Sequence, residues 1–138
     1  MPALDTYHYQ VKNALIKDGW TITHDPLKYR YGAKMLYADL GAERIFAAQK
    51  HERKILVEVK SFIGASIVAD LEDALGQYVL YDDVLSECEP DRIPYLAIRD
   101  EIFETLFQEP LGQLVLRRQQ LNLVVFDPVE EVIVQWIP

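Results

Sequence analysis

Three residues near the middle of the chain, Glu58-Val59-Lys60, have the types and spacing for phosphoryl chemistry. They close a run, Ile55-Leu56-Val57, that is apolar on both faces, as expected of a buried central strand. Residues two apart in a strand share a face, so Glu58 and Lys60 project together while Val57 and Val59 pack behind them. A carboxylate and an ammonium at the end of an apolar strand are costly unless paired or bound to something. Asp39 lies 19 residues upstream of Glu58 on the preceding strand, and an antiparallel hairpin brings it beside Glu58. Asp39, Glu58 and the Val59 carbonyl are hard oxygen donors of the kind Mg²⁺ or Mn²⁺ accepts, with positions left for water and phosphate. Lys60 then orients the attacking water or neutralises charge developing on the phosphate. On the helix that follows, Gln77 and Tyr81 form an i,i+4 pair in line with Asp70 and Asp73. Gln77 is expected to contact the carboxylates or a phosphate. Tyr81 is expected to contact nucleic acid or to pack.

The triplet alone carries little weight, because an acid-x-Lys triplet arises by chance roughly once in a chain this size. Glu52-Arg53-Lys54 is such a decoy, placed in a polar turn. The buried strand, the upstream Asp39 and the following helix set Glu58-Val59-Lys60 apart. Glu43 competes with Asp39 as the upstream carboxylate, and a plain ion pair between Glu58 and Lys60 is the structural alternative.

The elements that must position these residues follow from periodicity and turn chemistry. Asp5 caps a helix to about Asp18, with Gly19 as the stop. Trp20 to Thr23 reads as a short strand ended by Asp25-Pro26, and residues 28–34 as a basic, aromatic loop. Met35 to Leu40 begins a second strand that extends through Ile45 to Ala48. Lys50 to Lys54 reads as a polar turn, and Ile55 to Lys60 as the third strand. A helix over Ile67 to Leu85 follows, then a strand over Pro94 to Ile98. Asp100 caps a short helix to about Gln108, and Pro110 opens another to Gln120. Leu121 to Phe126 and Val132 to Ile137 form a hairpin around Asp127-Pro128. The order describes one α/β domain over residues 1–138, a sheet flanked by helices.

With 138 residues and one cysteine, the chain can bury a core without disulfides, and a reducing cytoplasm is the expected location. No signal peptide or membrane span is legible. The net charge of −8 is unevenly spread. Residues 1–60 hold ten Lys/Arg against seven Asp/Glu, and residues 61–138 hold four against fifteen. Lys28, Arg30, Lys34, Lys50, Arg53 and Lys54, interleaved with Tyr29 and Tyr31, form a rim suited to a DNA backbone, which the acidic segments 70–91 and 100–109 repel. His24 and His51 have no zinc-ligand spacing, and Cys88 among acids is a poor nucleophile.

Asp39, Glu58-x-Lys60 and Gln77-x-x-x-Tyr81, in that order of elements, resemble the PD-(D/E)xK restriction-endonuclease-like superfamily, including its Holliday-junction resolvase branch. Nearly the whole chain is similar to the XisH family, controlling factors of fdxN-element excision in heterocyst-forming cyanobacteria. The match is carried by KNALIKDGWTITHDPL (12–27), ADLGAE (38–43), KILVEVKSF (54–62), DLEDALGQYVLY (70–81) and VIVQWIP (132–138). The resemblance implies a restriction-endonuclease-like fold, a central mixed sheet flanked by helices, and a role in DNA recombination. It implies partnership with a site-specific recombinase and with a protein named XisI, and, by analogy with nucleases that cut as two-fold pairs, a homodimer. Nuclease activity itself does not come with it, so a Mg²⁺-dependent endonuclease and a non-catalytic accessory protein are both carried forward. Ala38 stands where the superfamily has Pro, and Asp5 and His8 are the nearest candidates for its first-helix acid.

Overall fold

The computed structural model describes residues 4–46 and 51–138. Helix α1 (His8–Lys17) leads into β1 (Thr21–His24), β2 (Leu27–Tyr31), β3 (Lys34–Ala38), β4 (Leu40–Phe46) and β5 (His51–Val59). Then come α2 (Ile67–Cys88), β6 (Arg92–Arg99), α3 (Asp100–Glu104), a 3₁₀ turn at Leu106–Gln108, α4 (Pro110–Gln119), β7 (Leu123–Asp127) and β8 (Val132–Ile137). Six strands form one mixed sheet in the order β1-β4-β5-β6-β7-β8, while β2 and β3 make a separate two-stranded sheet. The pairs β5–β6 and β6–β7 are parallel, and the other pairs are antiparallel. Among the described residues, no helix is long and apolar enough to cross a membrane.

Both sheet faces are covered, which is why β5, β6 and β7 read as continuous apolar runs rather than alternating ones. Val57 and Val59 of β5 join Val11, Ala14 and Leu15 of α1 in one core cluster. On the other face, Leu71, Ala74 and Tyr78 of α2 pack with Leu96 and Ile98 of β6, Phe107 and Val115. The helix α4 lies so close to the 3₁₀ turn that a Cβ at Gly112 would sit 2.1 Å from the Leu106 carbonyl oxygen, so only glycine fits there. The β2–β3 hairpin lies on a third cluster, where Leu27 and Ala38 meet Leu56 of β5 and Tyr81 and Leu85 of α2.

Several boundaries differ from the sequence expectation. Residues 28–34 are not a loop: they supply most of β2, the turn and the start of β3, with Leu27 pairing Ala38 and Tyr31 pairing Lys34. The expected strand from Met35 to Leu40 breaks at Asp39, where the chain crosses from the small sheet to the large one. Residues 51–54 belong to β5 rather than to a turn, pairing with β4 as far as His51 opposite Phe46. The expectations for residues 47–50, Lys50 among them, fall outside the described residues. Asp5 does not cap α1 from the N-cap position, since Tyr7 stands there and the Asp5 carboxylate accepts the Tyr7 amide at 2.9 Å. The single helix expected after Asp100 divides into α3 and the 3₁₀ turn.

Candidate functional site

Strand β5 delivers the central residues. Leu56 faces α2 and the β2–β3 hairpin while Val57 and Val59 face α1, so alternation puts Glu58 and Lys60 on the α2 side. Lys60 lies one residue past the strand, but its amide still donates to the Ala97 carbonyl at 3.0 Å. The break at Asp39 places that side chain at the same end, where Oδ2 accepts the Val59 amide at 2.7 Å. Helix α2 crosses above, bringing Gln77 Oε1 to 3.5 Å from Lys60 Nζ.

A pocket of about 360 Å³ results, lined by Asp5, Tyr37, Asp39, Glu58, Val59, Lys60, Gln77 and Tyr81. The Val59 side chain is buried on the α1 side, so Val59 meets this pocket through its backbone. Sequence reasoning had weighed Asp5 only as one of two candidates, and Tyr37 not at all. Both arrive through the fold, Asp5 by the segment before α1 and Tyr37 by β3.

The electrostatics are unusual. Glu58 is 8% exposed, and its Oε2 is buried without a hydrogen-bond partner. Burial, then the charge of the facing Asp39, pushes its carboxyl up to about 9. Burial also raises Asp39, while hydrogen bonds from the Val59 amide and Glu58, and the charge of His8, draw it down. A buried carboxyl group and a half-buried one facing it cannot both readily ionise without a compensating positive charge. None of the described ion pairs reaches either one. In particular, Lys60 turns to Gln77 and does not pair with Glu58.

The other sequence candidates fall in different places. Tyr81 has a buried ring in the third core cluster, and its hydroxyl donates to the Tyr37 carbonyl at 2.6 Å, close to Glu58. Its ring therefore packs in the core while the residue also lines the pocket. Glu43 is drawn to Arg92, 3.4 Å away, and is not at the pocket. His8 is 1% exposed, with Nε2 2.7 Å from Asp25 Oδ1 and Nδ1 buried without a partner.

The basic rim divides. Lys28 lies over the Tyr37 ring, 5.9 Å from its centroid, at the mouth of the pocket, and Arg30 and Lys34 extend along the exposed hairpin. Lys54 sits four residues back along β5, ~13 Å from Glu58 at strand spacing, and pairs with Glu89 and Asp91 at 3.8 and 3.7 Å. Arg53 faces the opposite side of the sheet, beside Trp20 and Trp136.

The donor set tests well for a small divalent cation. Three carboxylate residues, Asp5, Asp39 and Glu58, line one pocket with Val59, and one Glu58 oxygen is buried and unpartnered. Among the described residues, no trio of His, Cys, Asp or Glu could hold an ion alone, so such an ion would keep water or phosphate as its remaining ligands.

The fold and pocket together define a mixed-sheet α/β protein with an acidic, lysine-flanked site at the end of a central strand. The sequence model described as XisH protein matches residues 1–134, and the chain belongs to the XisH family. It is similar to the crystal structure of an XisH family protein from Nostoc punctiforme PCC 73102, at 38% identity and a TM-score of 0.88, covering 97% of this chain and 100% of that one. It is likewise similar to a fdxN element excision controlling factor protein from Anabaena variabilis, at 40% identity and a TM-score of 0.88, covering 98% of this chain and 100% of that one. No curated protein matches the sequence.

Proposed function

We propose that this chain controls DNA-element excision and that its pocket is a Mg²⁺- or Mn²⁺-dependent phosphodiesterase site acting on DNA. The excision role rests on likeness to the Anabaena variabilis controlling factor. The phosphodiesterase reading rests on one observation above all, the buried Glu58 facing the half-buried Asp39, with its unpartnered oxygen in a pocket shared with Lys60. Asp39, Glu58 and the Val59 carbonyl would hold the ion, which when bound supplies charge neutralisation for a phosphate and a more acidic water. Lys60 places its ammonium over the pocket without serving as a ligand, and Gln77 steadies it. The hairpin cations Lys28, Arg30 and Lys34 guide the DNA backbone to the mouth, with few other cations on that side, so binding is weak at physiological salt. The arrangement of Asp39, Glu58-x-Lys60 and the two flanking helices also supports a restriction-endonuclease-like assignment of the fold.

A second reading, a non-catalytic accessory protein that engages a recombinase or XisI, draws on the acidic surface. Helix α2 carries six acids and no Lys or Arg in 22 residues. Incubating the protein with linear and branched DNA and Mg²⁺ or Mn²⁺ separates the two. The site reading predicts metal-dependent cleavage that Lys60→Ala abolishes while metal affinity stays within about threefold, since Lys is not a ligand. No cleavage by the unaltered protein in either metal gives the case to the accessory role.

A further inference from the structure

We infer that Arg99, which lies outside the pocket, is a positioning residue that holds the pocket's two walls in register. One wall is the exit of β5, with Lys60. The other is the segment before α1, with Asp5. Arg99 ends β6, beside that exit. Its guanidinium donates to the carbonyl of Ser61, the residue after Lys60. The next residue, Phe62, has φ 53, in the left-handed region that bulky residues avoid, and its ring is buried edge-on to Phe107 at 6.4 Å. Backbone held in so sparse a region persists only where the surroundings over-determine it. Here the Lys60 amide bond to Ala97, the Arg99 bond to Ser61 and the buried Phe62 ring do so together.

The same guanidinium lies over the Tyr7 ring, 5.5 Å from its centroid. Tyr7 is packed edge-on against Phe126 at 6.0 Å, and its amide turns the Asp5 carboxylate by a 2.9 Å hydrogen bond. One planar cation thus touches both walls, a task suited to the flat, multi-donor guanidinium and not to an ammonium. The Arg99 side chain is 12% exposed, and its remaining charged contact is the exposed Glu101, 3.7 Å from Nε. It is not among the residues that line the pocket.

The inference rests on the metal reading of the pocket, in that the ion is what Lys60 and Asp5 are positioned around. Mn²⁺ as a paramagnetic probe tests it by NMR, since broadening falls steeply with distance from the ion. In the unaltered protein, substoichiometric Mn²⁺ should broaden signals of Asp39, Glu58, Lys60 and Asp5. In Arg99→Met, broadening at Lys60 and Asp5 should fall severalfold while Asp39 and Glu58 keep theirs, and Arg99→Lys should recover the Lys60 side more than the Asp5 side. Unchanged broadening at Lys60 and Asp5, or an equal change at all four residues, overturns the inference. Arg99→Lys compared directly with the unaltered protein serves if Arg99→Met fails to fold. Should the unaltered protein show no Mn²⁺ broadening at all, the metal reading fails by itself. Metal-free amide exchange then decides the role of Arg99: exchange at both Tyr7 and Lys60 should quicken about tenfold in the variant with Val124 unaffected, and unchanged exchange refutes it.

Discussion

The two ends of the parallel β5–β6 ladder, which runs from Lys54 opposite Arg92 to Val59 opposite Ala97, both bury charge, and they treat it in opposite ways. At the start, Arg92 is 3% exposed, yet every part of its guanidinium is answered: Nε and Nη2 by Glu89, Nη1 by the Ile55 carbonyl at 2.9 Å, and Nη2 also by Glu43. Tyr29 of the hairpin closes the cluster by donating to Glu89 at 2.6 Å. At the far end, Glu58 and Asp39 face one another with no cation among the described residues in an ion pair with either, and with Glu58 Oε2 unpartnered. The first cluster is complete within the chain, as a structural network must be. The second leaves Glu58 Oε2 without a partner, and a fold keeps such a group at a cost to its own stability.

Removing a partner from the complete cluster should have the largest effect. Arg92→Leu takes the guanidinium from Glu89, Glu43 and the Ile55 carbonyl, leaving Glu89 with Tyr29 and Lys54, and should cost about 3–5 kcal/mol in chemical denaturation. A loss below about 1 kcal/mol would show that water satisfies the cluster and that the two ends do not differ as described.

The pH dependence of stability should next show opposite signs at the two ends. Hydrogen bonding from Arg92 holds the Glu89 carboxyl below its ordinary value, so its contribution is present above about pH 4.5 and is lost as pH falls through the folded value. Glu58 is raised to about 9, so between its ordinary 4.5 and that value the unfolded chain has released a proton that the folded chain retains. Its contribution therefore declines as pH rises through the window. Metal-free Glu58→Gln should be at least as stable as the unaltered protein at pH 8, with a flatter profile from pH 5 to 9. A profile identical in slope to that of the unaltered protein would remove Glu58 from the account. The smallest effect belongs to Lys54→Ala, which cuts two long, partly exposed ion pairs and should cost no more than ~1 kcal/mol by thermal denaturation.

The elements at the far end of this contrast were legible in the sequence, and the Arg92 cluster and several boundaries were hidden for identifiable reasons. The apolar run into Glu58-Val59-Lys60 and the helical spacing of Leu71, Ala74 and Tyr78 located β5 and α2, because burial on regular elements leaves a period in the sequence. The hairpin at 27–38 was missed because its exposed residues are cations and its inward residues include Tyr29, so charge outweighed the period-two alternation of Leu27-Lys28-Tyr29-Arg30. Residues 51–54 looked like a turn because Glu52 and Arg53 are exposed and supply no apolar signal, although backbone pairing with β4 carries the strand through them. Asp39 over Glu43 could be decided only by register: Glu43 pairs opposite Lys54, a whole strand half away from Val59. Arg92 and Arg99 carried no local signal, because each acts through groups brought near by topology, Ile55 for one and Ser61 and Tyr7 for the other.

If the far end of β5 is the proposed ion site, its ligands must shed a proton to bind. Calorimetric titration of Mn²⁺ into the protein at pH 7, repeated in buffers of different ionisation enthalpy, counts the protons released with each ion. The account predicts one bound ion, release of about one proton per ion, and abolition of both by Asp39→Asn with Glu58→Gln. Binding without proton release, or binding that survives the double substitution, would contradict it.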